Sequence, residues 1–325
     1  MIELGYALSS EEHGPQDLVR NAQQCEEAGF SFALISDHFH PWISAQGHSP
    51  FVWGVIGGIA QLTRNLQLGT GVTCPTIRTH PAIIAHAAAT AAVMMDGRFF
   101  LGVGTGENLN EHVFGDRWPP HDIRLALLEE AIEIMRLLWS GDNISYWGDY
   151  YTVEDAQLFT VPAEPPPIMM AAGGPTTSES AGKVADGLIT TSPKKELIQE
   201  FDDAGGEGKP RYGKVTVCWA ESEKEARRIV HKLWPNTGLT GELNQELRTV
   251  THFEQAVEMV TEEKAVENIA CGPDAQKHLD AIQEYIDAGF DKIYVHQIGP
   301  DQSGFMEFYQ AEIIPAFEQT FEQIR

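Results

Sequence analysis

An acid, two imidazoles and an indole lie within seven residues of this sequence, the segment 36–42, which reads Ser-Asp-His-Phe-His-Pro-Trp. The segment directly follows the apolar run 32–35, which is short and uninterrupted and is typical of a buried parallel strand. Polar and aromatic side chains crowded at the carboxyl end of such a strand usually line a site rather than a core. The segment therefore predicts a functional site.

Two chemistries are open for the histidines of this segment, His38 and His40. A His-x-His pair could bind zinc, or belong to a binuclear hydrolase site, together with an acid from another strand end. Residues two apart at a strand end can also diverge in direction, so that one histidine faces a ligand and the other is structural. We favour the second interpretation. Trp42 follows a proline beside these groups and is expected to form a wall of the pocket.

Strand-like and helix-like segments alternate from one end of the chain to the other. Helical patterns at 15–28, 123–138 and 275–288 lie between the expected strands, and a further helix is expected with Pro50 at its first position. The expected strands are 3–8, 32–36, 66–70, 99–103, 168–172, 187–191, 214–219 and 292–295. Eight strands alternating with helices predict a (β/α)8 TIM barrel, with a doubly wound sheet as the alternative.

Two segments interrupt this alternation, at about 143–167 and 221–268. The first contains a hairpin signal around Gly148 and Asp149. The second opens with the helical stretch 223–233 and falls between the seventh and eighth strands, so it would overhang the catalytic face as a lid or remain a peripheral insertion. We expect one barrel domain over residues 1–325, with both insertions at its carboxyl-terminal face.

Glycines cluster after the third, fourth and fifth expected strands, at the face where barrel enzymes place their active sites. A flat ligand lying across the mouth would require such close approach of the main chain. The glycines are Gly69, Gly71, Gly102, Gly104, Gly106, Gly173 and Gly174. The run at 102–107 is not a dinucleotide fingerprint, because Glu107 stands at the third glycine position. Glu107 is thus a candidate site residue or an acid favoured at a helix start.

Two lysines, Lys194 and Lys195, fall where a helix is expected to begin after the sixth strand. Cations at a helix amino terminus oppose the helix dipole. This unfavourable placement suggests that they dock a phosphate or carboxylate, with solvated surface lysines as the alternative.

The charge of the chain limits its partners. There are 47 acidic against 22 basic residues, a net charge of −25, which argues against nucleic acid and against anionic membranes. No apolar stretch is long enough to cross a bilayer, and the amino terminus shows no secretion signal. The four cysteines are scattered without a metal-type spacing, which fits reduced thiols. We therefore expect a cytoplasmic protein that acts on a small molecule.

Three motifs together resemble one family. They are the segment 36–42, Gly-Val-Gly-Thr-Gly-Glu-Asn-Leu-Asn at 102–110 and Ala-Ala-Gly-Gly-Pro at 171–175. The combination is similar to the F420-dependent glucose-6-phosphate dehydrogenase group of the luciferase-like flavin and deazaflavin oxidoreductases. The resemblance covers nearly the whole chain and is weakest at 221–268. It implies a (β/α)8 barrel, commonly a homodimer, with coenzyme F420 across its mouth; an FMN-dependent monooxygenase of the same fold is the alternative.

The resemblance also implies roles for individual residues. A hydride would pass between a substrate carbinol carbon and C5 of the deazaflavin. His38 would take the hydroxyl proton, Glu107 would exchange the proton at N1, and Trp42 would cap the pocket. A non-proline cis peptide is implied between Gly71 and Val72. The cofactor would be held by Asp37, Gly71, Val72, Thr105, Asn110, Gly173 and Gly174.

The substrate is less closely defined. Members of the family that use glucose 6-phosphate hold its phosphate partly with residues after the sixth strand, and Thr191 and Lys194 match those positions. His296 ends the eighth strand and is a further candidate for substrate contact. The inserted segment, however, is mostly acidic or neutral at 241–248 and 262–267, whereas a phosphate dianion needs several charge-assisted donors. The segment 36–42 is also similar to F420-dependent secondary alcohol dehydrogenases. The sequence therefore predicts an alcohol or sugar (phosphate) substrate and disfavours glucose 6-phosphate.

Overall fold

The computed structural model describes residues 2–317. The strands are β1 (Glu3–Leu8), β2 (Phe32–Ile35), β3 (Gln67–Thr70), β4 (Phe99–Val103), β5 (Ile144–Trp147), β6 (Thr152–Ala156), β7 (Ile168–Ala171), β8 (Gly187–Thr190), β9 (Arg211–Cys218), β10 (Ala270–Cys271) and β11 (Lys292–Gln297). Eight of them form a closed parallel barrel in the order β1-β2-β3-β4-β7-β8-β9-β11, and β11 returns to β1. The predicted TIM barrel is confirmed, and each barrel strand overlaps its expected range, although β9 begins three residues earlier than expected.

Helices connect the strands on the outside of the barrel. They are α1 (Pro15–Ala28), α2 (Val52–Leu62), α3 (Pro81–Met94), α4 (Asn108–Glu111), α5 (His121–Leu138), α6 (Pro175–Val184), α7 (Lys195–Phe201), α8 (Glu223–Leu233), α9 (Leu243–Glu246), α10 (Val250–Val257), α11 (Glu262–Ala265), α12 (Ala275–Ala288) and α13 (Gln302–Phe308). The expected role of Pro50 is wrong. Phe51 keeps an extended conformation after it, so α2 begins only at Val52.

None of the helices described within residues 2–317 has both the length and the apolar character needed to span a membrane.

Alternation along the strands places one set of side chains inside the barrel and the other against the helices. The Tyr212 ring lies edge-on to Phe32, with 5.3 Å between ring centroids, and stacks on Phe100 at 5.1 Å. The interior cluster consists of Phe32, Leu34, Phe100, Met169, Ile189, Tyr212 and Tyr294. Because these side chains fill the interior, polar residues further along the same strands lie at the mouth.

Gly69 and Gly102 serve this interior packing. A Cβ atom at Gly69 would stand 2.1 Å from the Phe100 ring, and one at Gly102 would stand 1.9 Å from the Thr70 carbonyl oxygen. Our interpretation of these two glycines as ligand-facing is therefore wrong, because the barrel itself occupies the space beside them.

Both segments that interrupt the alternation have secondary structure of their own. In the first, β5 and β6 pair as an antiparallel hairpin. In the second, α8 ends where Trp234 and Pro235 follow it, and α9 to α11 continue the insertion. Phe253 of α10 packs edge-on against Trp42, with 5.1 Å between ring centroids. The second insertion therefore lies over the residues at the barrel mouth.

Candidate functional site

The barrel mouth consists of two contiguous halves. The glycine-rich half follows β3, β4 and β7, and the polar half follows β8, β9, β11, β1 and β2. The glycine-rich half contains Gly71, Val72, Gly104, Thr105, Glu107, Gly173 and Gly174. The polar half contains Glu11, His38, Trp42, Thr191, Lys214 and His296.

His38, in the loop after β2, faces Glu11, in the loop after β1. Nε2 of the histidine lies 3.5 Å from Oε1 of the glutamate, and the side chains are 10% and 4% exposed. The other carboxylate oxygen accepts hydrogen bonds from Ser9 Oγ at 3.0 Å and Ser36 Oγ at 2.6 Å. Burial tends to raise the pKa of Glu11, but the His38 ring and the Ser36 hydroxyl outweigh it and lower that pKa. Glu11 is therefore an ionised partner placed to orient the His38 ring.

Trp42 forms a wall of the pocket beside His38. The two rings meet edge-on with 5.0 Å between centroids. The Trp42 backbone N–H donates to Gln46 Oε1 at 2.8 Å, which anchors the loop. The indole therefore lies between the predicted base and the inserted segment.

The His40 ring contacts different groups from those that the His38 ring contacts. Its Nδ1 lies 3.0 Å from the Leu109 carbonyl oxygen, and its ring stacks on His112 with 6.0 Å between centroids. Across residues 2–317, no group of three or more His, Cys, Asp or Glu side chains is arranged to hold a metal ion. Because the two histidines have separate partners, the geometry does not support a metal site built on the pair.

A second histidine–glutamate pair adjoins the first. His296, at the end of β11, places Nε2 3.4 Å from Glu12 Oε1, and both side chains are at most 4% exposed. Glu12 also accepts hydrogen bonds from Trp234 Nε1 at 2.6 Å and from the Gly299 backbone N–H at 2.9 Å. The consecutive residues Glu11 and Glu12 thus each hold one histidine of the polar half. The predicted contact of His296 with substrate stays a prediction.

Glu11 and Lys214 are site residues that the sequence analysis missed. In β9, Tyr212 lies inside the barrel and Val215 lies outside against the helices, so Lys214 faces the interior. Burial lowers the pKa of Lys214, and the charges of Glu11 and Glu107 oppose this effect. The available signals were an acid directly after the first strand and a lysine within an alternating strand. Neither signal is distinctive in the sequence, because it is the closed barrel that brings these two residues to the site.

In the glycine-rich half, the Gly71–Val72 peptide is cis, as the resemblance implied. Gly104 is required by packing, because a Cβ there would stand 2.7 Å from Val72 Cγ2. Gly173 and Gly174 differ, since a Cβ at either position would meet no atom within 4 Å. This open main chain fits a flat cofactor, which can approach the backbone there without obstruction.

Asp37 is buried behind this half, and both its carboxylate oxygens have partners. Oδ2 accepts a hydrogen bond from Thr73 Oγ1 at 2.8 Å, and Oδ1 accepts one from Arg78 Nη2 at 3.1 Å. The Arg78 backbone N–H also donates to Glu111 at 2.8 Å. Burial raises the pKa of Glu111 to about 7, against the lowering effect of Arg78. Asp37 belongs to this buried network, and its contact with the cofactor stays a prediction.

Asn110 connects the two halves. Its Oδ1 accepts hydrogen bonds from the backbone N–H groups of Phe39 and His40 at 2.9 and 3.1 Å, and its Nδ2 lies 3.5 Å from Glu107 Oε2. The buried amide therefore joins the loop after β2 to the glutamate of the glycine-rich half. Thr105 is half-buried at the same edge. Cofactor contacts of these residues stay predictions.

Lys194 and Thr191 lie at the rim of the polar half. Lys194 is the N-cap residue of α7 and Lys195 its first residue, which confirms that the helix begins at these lysines; the side chain of Lys194 is exposed. Thr191 is also exposed, and its carbonyl oxygen accepts a hydrogen bond from the Tyr285 hydroxyl at 3.2 Å. Their contacts with substrate stay predictions.

Comparison with known proteins identifies the family. The model of the luciferase-like monooxygenase family matches residues 1–292. The chain is 33% identical to the F420-dependent glucose-6-phosphate dehydrogenase of Intrasporangium calvum, over 97% of this chain and 98% of the relative, and 35% identical to that of Nocardia farcinica, over 97% of each. The solved structure of an F420-dependent secondary alcohol dehydrogenase in complex with an F420-acetone adduct matches 96% of this chain and 98% of its own, with a TM-score of 0.89 and 26% identity. The chain therefore belongs to the luciferase-like family and, within it, to the F420-dependent glucose-6-phosphate dehydrogenase group.

Proposed function

We propose that the chain is an F420-dependent dehydrogenase that transfers a hydride between the carbinol carbon of an alcohol or sugar derivative and the deazaflavin. One observation carries the proposal. The buried His38–Glu11 pair lies in one half of the mouth, and the open main chain at Gly173 and Gly174 lies in the other. F420, when bound, supplies the hydride chemistry at C5. The activities named for the glucose-6-phosphate and alcohol dehydrogenase relatives support the same reaction.

His38 exchanges the proton of the carbinol oxygen. We place this exchange at Nε2, because its 3.5 Å contact with Glu11 is longer than an ordinary hydrogen bond, so that Nε2 is available to bond a substrate oxygen. The other ring nitrogen, Nδ1, lies 3.3 Å from the His40 carbonyl oxygen. The two ring nitrogens thus face different groups, a carboxylate at Nε2 and a carbonyl oxygen at Nδ1.

Glu107 and Trp42 complete the proposed machinery. Glu107 exchanges the second proton, that of the cofactor at N1, and Asn110 links it to the loop that carries the histidine. Trp42 excludes water from the reacting pocket, because its ring is packed between His38 and Phe253.

The test measures F420 binding and reduction. Purified protein should bind F420 saturably, and at least one member of a panel of sugar phosphates, sugars and secondary alcohols should bleach the absorbance of the oxidised cofactor. FMN is titrated in parallel. Tighter binding of FMN than of F420, or no F420 binding at high micromolar concentration, would contradict the proposal.

A homodimer is the second part of the proposal, formed through the outer face of α2 and α3. On α3, Ile83, Val93 and Met94 are 60%, 45% and 40% exposed, and Phe51, which directly precedes α2, is 73% exposed. Exposed apolar side chains grouped in this way commonly mark a protein interface. Sedimentation equilibrium should give twice the mass of one chain, and a monomer at micromolar concentration would overturn this part.

One barrel domain over residues 1–325, in the cytoplasm, completes the proposal. The single large core cluster, which runs from Leu4 to Phe317, supports one domain. The four free and buried cysteines support a reducing compartment.

A further inference from the structure

Lys214, in β9, faces the barrel interior on the side of the mouth. Alternate residues of a strand share a face, so Lys214 lies one layer above the central Tyr212 ring. The Tyr285 hydroxyl donates to the carbonyl oxygen of Lys214 at 2.6 Å and to that of Thr191 at 3.2 Å. On its other side Lys214 is in register with Tyr294 of β11. The backbone of this lysine is therefore held in place between two neighbouring strands of the polar half.

The ammonium group of Lys214 has no protein partner. Among residues 2–317 it makes no hydrogen bond, and no carboxylate oxygen lies within 4 Å of it. Lys292 also faces the interior, at the opposite end of the barrel, but it is paired with Glu3. A partly buried cation without a partner is unfavourable, so a ligand is expected to supply the missing acceptor.

Two carboxylates act on this ammonium group without forming an ion pair with it. Glu11 belongs to the polar half and Glu107 to the glycine-rich half, and both interact electrostatically with Lys214. An anionic substituent bound at the ammonium would be repelled by both carboxylates. A hydroxyl group would instead accept a hydrogen bond from the ammonium and could donate one to a carboxylate. The charges therefore favour an uncharged hydroxyl as the partner of Lys214.

We propose that Lys214 is a specificity-determining residue, which binds a hydroxyl group adjacent to the reacting carbinol. On this basis the enzyme prefers vicinal diols and sugars over simple secondary alcohols. The inference rests on the proposed function, in which His38 engages the reacting oxygen. Lys214 would engage the neighbouring oxygen from the floor of the same pocket.

The test compares two substrates that differ by one hydroxyl group, 2-propanol and 1,2-propanediol. Lys214→Met should lower kcat/KM for the diol by about 10- to 100-fold more than for 2-propanol, the usual contribution of a hydrogen bond to a charged donor. Lys224→Met removes an exposed lysine of α8 and serves as the control, with no change for either substrate. Equal losses with both substrates, or no loss with the diol, would overturn the inference.

Two further measurements separate specificity from a structural role and from the proposed reaction. Lys214→Arg keeps a charged donor and should preserve the preference for the diol, which a role in packing alone does not predict. Calorimetric titration of F420-loaded protein with glucose should show weaker binding in Lys214→Met than in the wild type. Equal affinities would overturn the inference even without turnover. Failure of the wild type to reduce F420 with any carbinol, by contrast, would contradict the proposed function.

Discussion

The two halves of the barrel mouth are built in different ways by the same fold. The polar half relies on buried side-chain pairs, His38 with Glu11 and His296 with Glu12. The glycine-rich half relies on the main chain, which lies open at Gly173. Side chains provide directional proton contacts, whereas bare main chain provides a surface along which a flat molecule can lie. On the proposed function, proton transfer and cofactor binding can therefore be altered separately.

The largest expected effect is confined to the polar half. His38→Ala should lower kcat by about 10²- to 10⁴-fold, the usual contribution of a general acid or base, and leave the Kd for F420 unchanged. Steady-state kinetics and a fluorescence titration of F420 measure the two quantities. His40→Ala is the matched control and should lose far less activity, because His40 contacts Leu109 and His112 instead of Glu11. Comparable losses of kcat in both variants would contradict the assignment of proton transfer to His38.

The next effect is confined to the glycine-rich half. Gly173→Val fills open space, so it should raise the Kd for F420 by about 10- to 100-fold, the usual cost of steric overlap, without changing Tm. Gly54→Val is the control, because Gly54 is equally free of neighbours but lies on α2, away from the mouth. An unchanged Kd in Gly173→Val would show that the open main chain does not receive the cofactor.

The smallest expected effect concerns stability behind the glycine-rich half. The pKa of Glu111 is raised from 4.5 to about 7, so the folded protein holds a proton that the unfolded chain releases. The free energy of unfolding therefore decreases as pH rises through this window. Glu111→Gln lacks this titration, and its dependence should be shallower by up to about 1.4 kcal/mol per pH unit. Urea denaturation at several pH values measures both slopes, and parallel slopes would contradict the assignment.

The fold was predictable because its signals are local. Pro15 and Gly29 mark the two ends of α1, and the helix has the predicted bounds. Trp234 and Pro235 end α8 in the same way. Pro50 misled the prediction, because a proline suits an extended residue before a helix as well as the first helical turn.

The site was predictable only in part, because its pairs join distant residues. The segment 36–42 follows a recognisable strand, and its functional character could be predicted. Its partner Glu11 lies in another loop, where an acid also fits a helix start. The inward direction of Lys214 depends on closure of the barrel. Gly102 and Gly173 look alike in the sequence, and three-dimensional neighbours alone show that one is crowded and the other open.

The hydrogen bond from Trp234 to Glu12 has a consequence for redesign of the enzyme by segment exchange. The insertion 221–268 lies over the mouth, whereas the adjacent Glu11 contacts His38 outside the insertion. Exchange of this insertion for the corresponding segment of another enzyme could therefore supply a new pocket without replacing His38 or Glu11. The exchanged segment must keep a tryptophan at position 234, because Glu12 would otherwise lose a buried hydrogen bond beside His296. Trp234 and Phe253, which packs on Trp42, are therefore the first side chains of a donor segment to check before any protein is made.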